Sequence, residues 1–407
     1  MTTPNPTTRP TPPHRPIRVL VLGAGYAGAL AANRLRRDPR VEVTVVNPQP
    51  FFVQRIRLHQ WVARTADPQV GFDHVLASDI RVVVDTATRI DAARRRVDMA
   101  SGAALDYDHL IYAVGTGAAT PMIPGAAEHG FGVADWVAAQ QLRDHLETLD
   151  RHEPVTVIGG GLTGVELAAE LAERGFGVRL VGGGAVAGSV GPRARRALLV
   201  QLGRLGVEVL ESGRVVDVTS TTVTVADGGQ RRELPSATTV LTTGFEAPPL
   251  AEDSGLTTDE LGRLCADVTL TSVDDPRIVG AGDAVSIDGM TLRMSCQAAQ
   301  PLGAQAADAV LAHLDGVAAA EVDQAFVAQC TSVGRRAATL QFTRRDDSPA
   351  RMVVTGRLAA LAKETVCRGT VWNIHRESKT PGAFRWLRGG TRPSAGRPSS
   401  ASATVVR

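Results

Sequence analysis

Arg18-Val-Leu-Val-Leu-Gly23-Ala-Gly25-Tyr-Ala-Gly28-Ala-Leu-Ala-Ala-Asn33 is the stretch around which the rest of the chain is organised. Val19 to Leu22 is an apolar, strand-like run, and Ala29 to Leu35 reads as helix. Between them lies Gly-x-Gly-x-x-Gly. Strand, glycine turn and helix together make a dinucleotide fingerprint of what would otherwise be a bare glycine pattern. Gly23 permits the tight turn, Gly25 lets backbone approach a pyrophosphate, and Gly28 lets the helix pack on the strand. The helix N-terminus offers unpaired N–H groups and partial positive charge to the phosphates.

The pattern recurs. Val155-Thr-Val-Ile-Gly159-Gly-Gly161-Leu162-Thr163-Gly164-Val-Glu166 has the same strand, the same spacing and a helix after it. Two fingerprints in one chain imply two dinucleotide-binding units. The alternative is a pair of incidental glycine-rich turns.

Two further apolar strands end in small residues. Tyr107 to Gly117 contains Ala113 and Gly115, and Thr238 to Phe245 contains Gly244. Small residues let backbone pass close to a bound nucleotide, and the parallel between the two strands supports an internal duplication. The expected fold is α/β, with two Rossmann-like three-layer ββα domains and a small C-terminal α+β domain. The first domain is expected over residues 17–125 and 255–320, the second over 126–254, and the third over 321–387. Residues 1–16 read as a Thr/Pro-rich arm and 388–407 as a Gly/Ser/Pro-rich tail, both disordered.

Within this frame Phe51 to Ala63 is expected as a short helix, Pro121 to Gly132 as a crossover loop, and Gln297 to Leu314 as a long Ala-rich helix. Strands are expected at Ala338–Phe342 and Arg351–Thr355, followed by a basic amphipathic stretch from Arg357 to Ile374.

Composition bounds the partners. With 407 residues, 43% hydrophobic and 21% charged, the chain has ordinary globular composition. A net charge of +2 argues against an electrostatically driven nucleic-acid binder. Arginine supplies nearly all the positive charge; the lysines are Lys363 and Lys379. The four cysteines, Cys265, Cys296, Cys330 and Cys367, form no closely spaced pair. That pattern points away from a local redox disulfide or zinc knuckle and suits a reducing cytosol. No metal site is expected. No apolar run reaches the roughly 18 residues that span a membrane.

On these motifs, and on Gly282-Asp283 after the strand Arg277 to Gly280, the chain resembles the two-dinucleotide-binding-domain flavoproteins of the pyridine nucleotide-disulfide oxidoreductase superfamily. Within them it is most similar to the type II NADH dehydrogenases and their apoptosis-inducing-factor-like relatives, over Ile17 to Leu311. The resemblance implies an FAD-dependent NAD(P)H oxidoreductase that passes electrons to a quinone or quinone-like small molecule. It implies FAD at Gly23, Ala24, Gly25, Tyr26, Ala27 and Gly28, with Asn47 at the ribose position, where an acid is usual. Ala87 would meet adenine through its backbone; Ala113 and Gly115 would lie beside the cofactor; Gly282, Asp283 and Gln297 would meet the flavin side. Asp283 could instead cap the helix that follows. NADH or NADPH would lie on Gly159, Gly161, Leu162, Thr163, Gly164 and Gly244, with Glu166 near both rings.

Glu166, His59 and Gln297 are the catalytic candidates by family position. His59 could donate a proton to the reduced acceptor, or only hydrogen-bond backbone or cofactor. Cys296 could pair with the flavin, or be a small buried residue. The family's acceptor-side run is matched by Cys296-Gln297-Ala-Ala-Gln300-Pro301-Leu302-Gly303, where Pro301-Leu302 replaces a Gln-Gln pair. The nucleotide preference is open: the strand Val178–Val181 ends at Gly182 with no acid, and Arg193, Arg195 and Arg196 lie downstream. A protein electron carrier or an aromatic metabolite as acceptor stays open, as does a non-catalytic redox-sensing flavoprotein. A cytoplasmic location is expected. Contact with the inner face of the cell membrane is open but not favoured, and a homodimer is open.

Overall fold

The computed structural model describes residues 15–119 and 122–390. The arm up to residue 14 and the tail from residue 391 lie outside the described residues.

The first glycine unit sits on a parallel five-stranded sheet, ordered Ile278–Gly280, His109–Tyr112, Ile17–Leu22, Val41–Asn47, Arg81–Val84. A parallel sheet covered on both faces needs strands that are apolar on both. Alternate residues of the central strand accordingly enter two different cores. Val19 and Val21 pack with helices Tyr26–Leu35 and Cys296–Leu314. Leu20 and Leu22 pack on an antiparallel meander of Ala87–Asp91, Arg96–Met99 and Ala104–Asp106.

The second unit repeats the plan. Its parallel order is Gly130–Gly132, Thr238–Leu241, Pro154–Ile158, Gly177–Val181, Glu208–Leu210. Val155 and Val157 face helices Trp136–Thr148, Leu162–Glu173 and Pro192–Arg204. Ile158 and Val181 face the meander Arg214–Val218, Thr222–Asp227, Gln230–Pro235. Both units therefore have the three layers read from the sequence. A short antiparallel ribbon, Gly117–Ala118 against Phe245–Glu246, joins them.

Three antiparallel strands, Ala328–Val333, Ala337–Thr343 and Pro349–Gly356, form a third sheet. Helix Arg357–Lys379 lies on it and buries Ala359, Lys363, Cys367, Thr370 and Ile374. The helix end is pinned to the first unit. Glu377, fully buried, accepts from the N–H groups of Gly382 and Phe384, each at 2.6 Å, and pairs with Arg34 at 3.4 Å. Asp308 grips Arg34 from the other side at 2.8 and 2.9 Å. A buried charge set of this kind is tolerable because every member is answered.

Several local expectations change. Phe51–Val53 is a strand, held antiparallel to Gln69–Gly71 with Phe52 buried, so the helix shrinks to Leu58–Val62. The crossover over 121–132 contains a helical turn, Ala126–His129, and the edge strand Gly130–Gly132. Strand Ala328–Val333 was not foreseen because its inward Gln329 and Thr331 are polar and mask the alternation. The last helix runs five residues beyond Ile374 to Lys379, since Glu377 is bonded inward. Among the described residues no helix is long and apolar enough to cross a membrane.

Candidate functional site

The first fingerprint is shaped by close approaches. Gly23 has φ +95°, and a Cβ there would overlap the carbonyl of Ala113. A Cβ on Gly28 would overlap the carbonyl oxygen of Gly23. Gly25, by contrast, has open space around its missing side chain. It is the N-cap of helix Tyr26–Leu35 and supplies no side-chain acceptor, so the first-turn N–H groups stay available. Ala27 lies beneath Gly282, whose Cβ would come 2.9 Å from that of Ala27.

Asn47 acts locally. Its Oδ1 accepts from the Ala24 N–H at 2.9 Å, and its amide donates to Gln49 O at 2.8 Å. It staples the fingerprint loop to the strand end. Ala87 starts the meander opposite Met99, and Gly115 has φ +71° just past Ala113.

The second fingerprint copies these contacts. A Cβ on Gly159 would run into Thr242, and one on Gly164 would overlap the Gly159 carbonyl. Gly161 is open and caps helix Leu162–Glu173 without a side-chain bond, leaving the N–H groups around Leu162 and Thr163 free for phosphate. Gly244, at φ +94°, closes on Ala119. At the strand end, Arg195 bonds Val186 O at 2.9 Å and pairs with Glu211, so it is already engaged; Arg193 and Arg196 are exposed.

Between the units sits a polar cluster the sequence reading missed. Arg55, largely buried, donates to Ala134 O and Thr116 Oγ1, both at 2.9 Å, and lies 3.4 Å from Asp283 and 4.9 Å over the Phe245 ring. Its buried Nη2 has no hydrogen-bond partner in the protein, and the buried Tyr26 hydroxyl has only Thr370 nearby. An orphaned donor of this kind, beside an open glycine cradle, fits a polar ligand such as a flavin dinucleotide. Asp283 does not cap the next helix: Ser295 does, through Ala298 N–H at 3.3 Å. Burial pushes the Asp283 carboxyl up, and Arg55 and a backbone N–H from Ser295 pull it down.

Glu166 is where three elements meet. Its Oε1 accepts from Ser332 N–H at 2.8 Å and Ser332 Oγ at 3.1 Å, and it contacts the Nζ of Lys363. Its Oε2 is 3.8 Å from His59 Nδ1. Burial draws the Lys363 ammonium down to about 8, with Arg57 adding to the fall and Cys367 and Glu364 opposing it. His59 is pushed well below its ordinary value, by burial first and then by Lys363, Arg335 and Arg57. Burial thus favours its neutral imidazole, whose Nε2 lies 3.5 Å from Ser332 Oγ. Lys363 is the functional candidate that the sequence reading lacked; its signal was that an arginine chain uses lysine twice only.

Helix Cys296–Leu314 is used mainly for packing. Gln297, with its amide turned to satisfy both atoms, bridges Val327 N and Ala328 O at 3.0 and 3.1 Å. Gln300 donates to Thr370 O at 2.6 Å. Pro301 and Leu302 are buried, and Gly303 is where the helix crosses the backbone of Ala27. The match at Gly303 is thus a helix-crossing requirement. Burial pushes the Cys296 thiol to about 12 and that of Cys330 to about 11, so both are protonated. No group of metal-ligating side chains exists among the described residues.

The same strand, glycine turn and helix thus occurs twice, with one geometry of close approaches. The chain belongs to the pyridine nucleotide-disulphide oxidoreductase family, which matches residues 17–303. It is 34% identical over 317 residues to an NADH dehydrogenase-like protein of Mycobacterium tuberculosis, covering 70% of this chain and 78% of that protein. A type II NADH:quinone oxidoreductase of Staphylococcus haemolyticus is 24% identical over 395 residues, 88% of this chain and 96% of the relative. The fold is that of the Plasmodium falciparum NDH2 solved in complex with NADH, with a TM-score of 0.75 at 15% identity over 91% of this chain and 99% of that one. The protein is an NAD(P)H oxidoreductase of the flavin-using kind.

Proposed function

We propose that the first cradle holds FAD, the second holds NADH or NADPH, and the electrons leave to a quinone-like small molecule. The observation that carries this reading is the repetition of one glycine geometry at Gly23/Gly28 and Gly159/Gly164, with Glu166 at the junction between them. FAD, when bound, supplies two-electron acceptance from a nicotinamide.

The chain's own residues bind, orient and handle protons. Backbone N–H groups at Tyr26 to Gly28 and at Leu162 to Gly164 take the phosphates. Arg55 holds Asp283 and offers Nη2 to the cofactor side. Reduction of a quinone to a quinol takes two electrons and two protons; the hydride of NAD(P)H accounts for both electrons and one proton, so one further proton must be supplied. Lys363 stores one at Nζ beside Glu166, and its pKa of about 8 matches that task near neutral pH. His59 and Ser332 keep the Glu166 carboxylate in place.

The test is steady-state NADH and NADPH oxidation by FAD-loaded protein with menadione as acceptor. Turnover is expected, with Lys363→Met lowering kcat more than the KM for NADH. Absence of turnover with menadione and with a longer-chain quinone would overturn the quinone reading.

A second observation bears on location. The outer side of helix Arg357–Lys379 exposes Leu358, Leu361 and Trp372 beside Arg368 and Arg376. This arrangement supports a peripheral contact with an anionic lipid surface. Co-sedimentation with phosphatidylglycerol vesicles, lost in Leu361→Asp/Trp372→Asp, checks it; no sedimentation of the parent protein would dismiss it.

A further inference from the structure

A cavity of about 440 Å³ opens between the hairpin tip at Gly334–Arg336 and the first turns of helix Arg357–Lys379. Its inner end is formed by Ser332 and Lys363, both in contact with Glu166. It therefore runs from solvent to the Glu166 cluster on the second glycine unit's helix.

Its lining is unbalanced in charge. Arg335, Arg336, Arg357 and Lys363 face it, against the single carboxylate of Glu364. Glu364 is already committed to Arg57 and Arg368, each at 2.9 Å, and to Arg335 at 3.8 Å. Arg335 is further shared with Glu170 at 3.7 Å. Arg336 and Arg357 are exposed and have no carboxylate within ion-pair distance among the described residues. The cavity also lies over the N-terminal turns of a 23-residue helix whose N-cap, Gly356, supplies no side-chain acceptor, so the helix dipole adds positive potential. Ala360 and Leu361 form an apolar wall.

A neutral quinone needs only the apolar wall and a proton source at the inner end. Two unanswered guanidinium groups at the mouth are what a carboxylate, sulfonate or ionised hydroxyl requires. Resting on the quinone reading above, we propose that the acceptor is an anionic, quinone-like aromatic molecule. Its ring lies along Ala360 and Leu361, its negative group on Arg336 and Arg357, and its reducible carbonyl toward Lys363.

The test uses the FAD-loaded full chain with lawsone, which is ionised at neutral pH, and its neutral methyl ether. Equilibrium binding to the oxidised protein is followed by intrinsic tryptophan fluorescence, and turnover by NADH oxidation. Replacing both Arg336 and Arg357 with Gln is expected to weaken lawsone binding about tenfold or more, the loss of charge-assisted contacts. Binding of the ether, which makes no use of the charge, should change less than about twofold. Lawsone binding by the parent protein should also weaken with added salt, and the variant should lose that dependence. An unchanged lawsone-to-ether ratio in the variant would overturn the proposal, because both arginines are exposed and their replacement leaves the core intact. If neither compound is turned over while NADH still reduces the flavin, the quinone reading itself fails. Turnover of the ether with no charge preference sinks only the anionic class.

Discussion

The two glycine units have the same turn and different surroundings. At both, the third glycine packs under the first one's carbonyl, and the second opens to solvent. Around the first, all ten residues of helix Tyr26–Leu35 are buried, because Cys296–Leu314 and the end of Arg357–Lys379 lie across it. Around the second, helix Leu162–Glu173 leaves its N-terminal residues and Glu166 partly open, and the strand ends in exposed Gly183 and Gly184. We read the cradle on the fully packed helix as the one that retains its ligand, and the cradle on the more exposed helix as the one that exchanges it. The motif states that a dinucleotide binds, and the packing around it decides whether that molecule is resident or passing.

The sharpest way to break this comparison is to block each cradle in turn. Gly28→Ala and Gly164→Ala both force a Cβ into a carbonyl, a strain of about 1–3 kcal/mol or more. Gly28→Ala should purify without flavin colour, and Gly164→Ala should stay yellow but resist reduction by NADH. Absorbance and circular dichroism of the two variants check this, and a colourless Gly164→Ala would undo the assignment.

Next in size is the tie between the second unit and the third sheet. Lys363→Met leaves the partly buried Glu166 carboxylate with only its Ser332 hydrogen bonds, at a cost of about 2–4 kcal/mol, somewhat below that of breaking a fully buried pair. Urea midpoints should show that loss, with Lys363→Met/Glu166→Gln recovering much of it. Equal midpoints for the parent and Lys363→Met would mean the pair does not fasten the interface.

One turn further along, Glu170 is fully buried beside Thr65 and Arg335. Burial lifts its carboxyl to about 7 from an ordinary 4.5. The folded protein then holds a proton that the unfolded chain releases. This group's stability contribution is intact below the unfolded value and is lost as pH climbs from there through about 7. The advantage of Glu170→Gln over the parent should grow by about 2–3 kcal/mol between about pH 5 and pH 8. A flat difference in thermal unfolding across that range would rule it out.

The smallest expected effect concerns nucleotide choice. Gly183 has open space for a side chain. Gly183→Asp supplies the acid that repels a 2′-phosphate, so kcat/KM for NADPH should fall about tenfold while that for NADH holds. Equal changes for both nucleotides would place the ribose elsewhere.

What the sequence made legible was local. Each fingerprint is a strand, a turn and a helix within a dozen residues, so spacing located both glycine units, and the resemblance added the three-layer plan. Contacts between distant residues were not legible. The bond that Asn47 accepts from the Ala24 N–H, which ties the fingerprint loop to the strand end, was not visible in the sequence. Gln297 and Gly303 matched an acceptor-side run, and the fold adds what spacing could not show: a bridge to the backbone at Val327 and Ala328, and a helix crossing at Ala27. Lys363 reaches Glu166 from the last helix, almost two hundred residues further along the chain, and no local pattern encodes that meeting.

The central claim is that one cradle holds a resident flavin and the other an exchanging nicotinamide. Anaerobic titration of the purified yellow protein with NADH and NADPH, followed in the visible flavin band, tests it most directly. Bleaching that saturates near one equivalent of nucleotide per flavin, with flavin retained and nicotinamide lost on gel filtration, is the predicted result. Flavin that stays oxidised with both nucleotides would contradict the account.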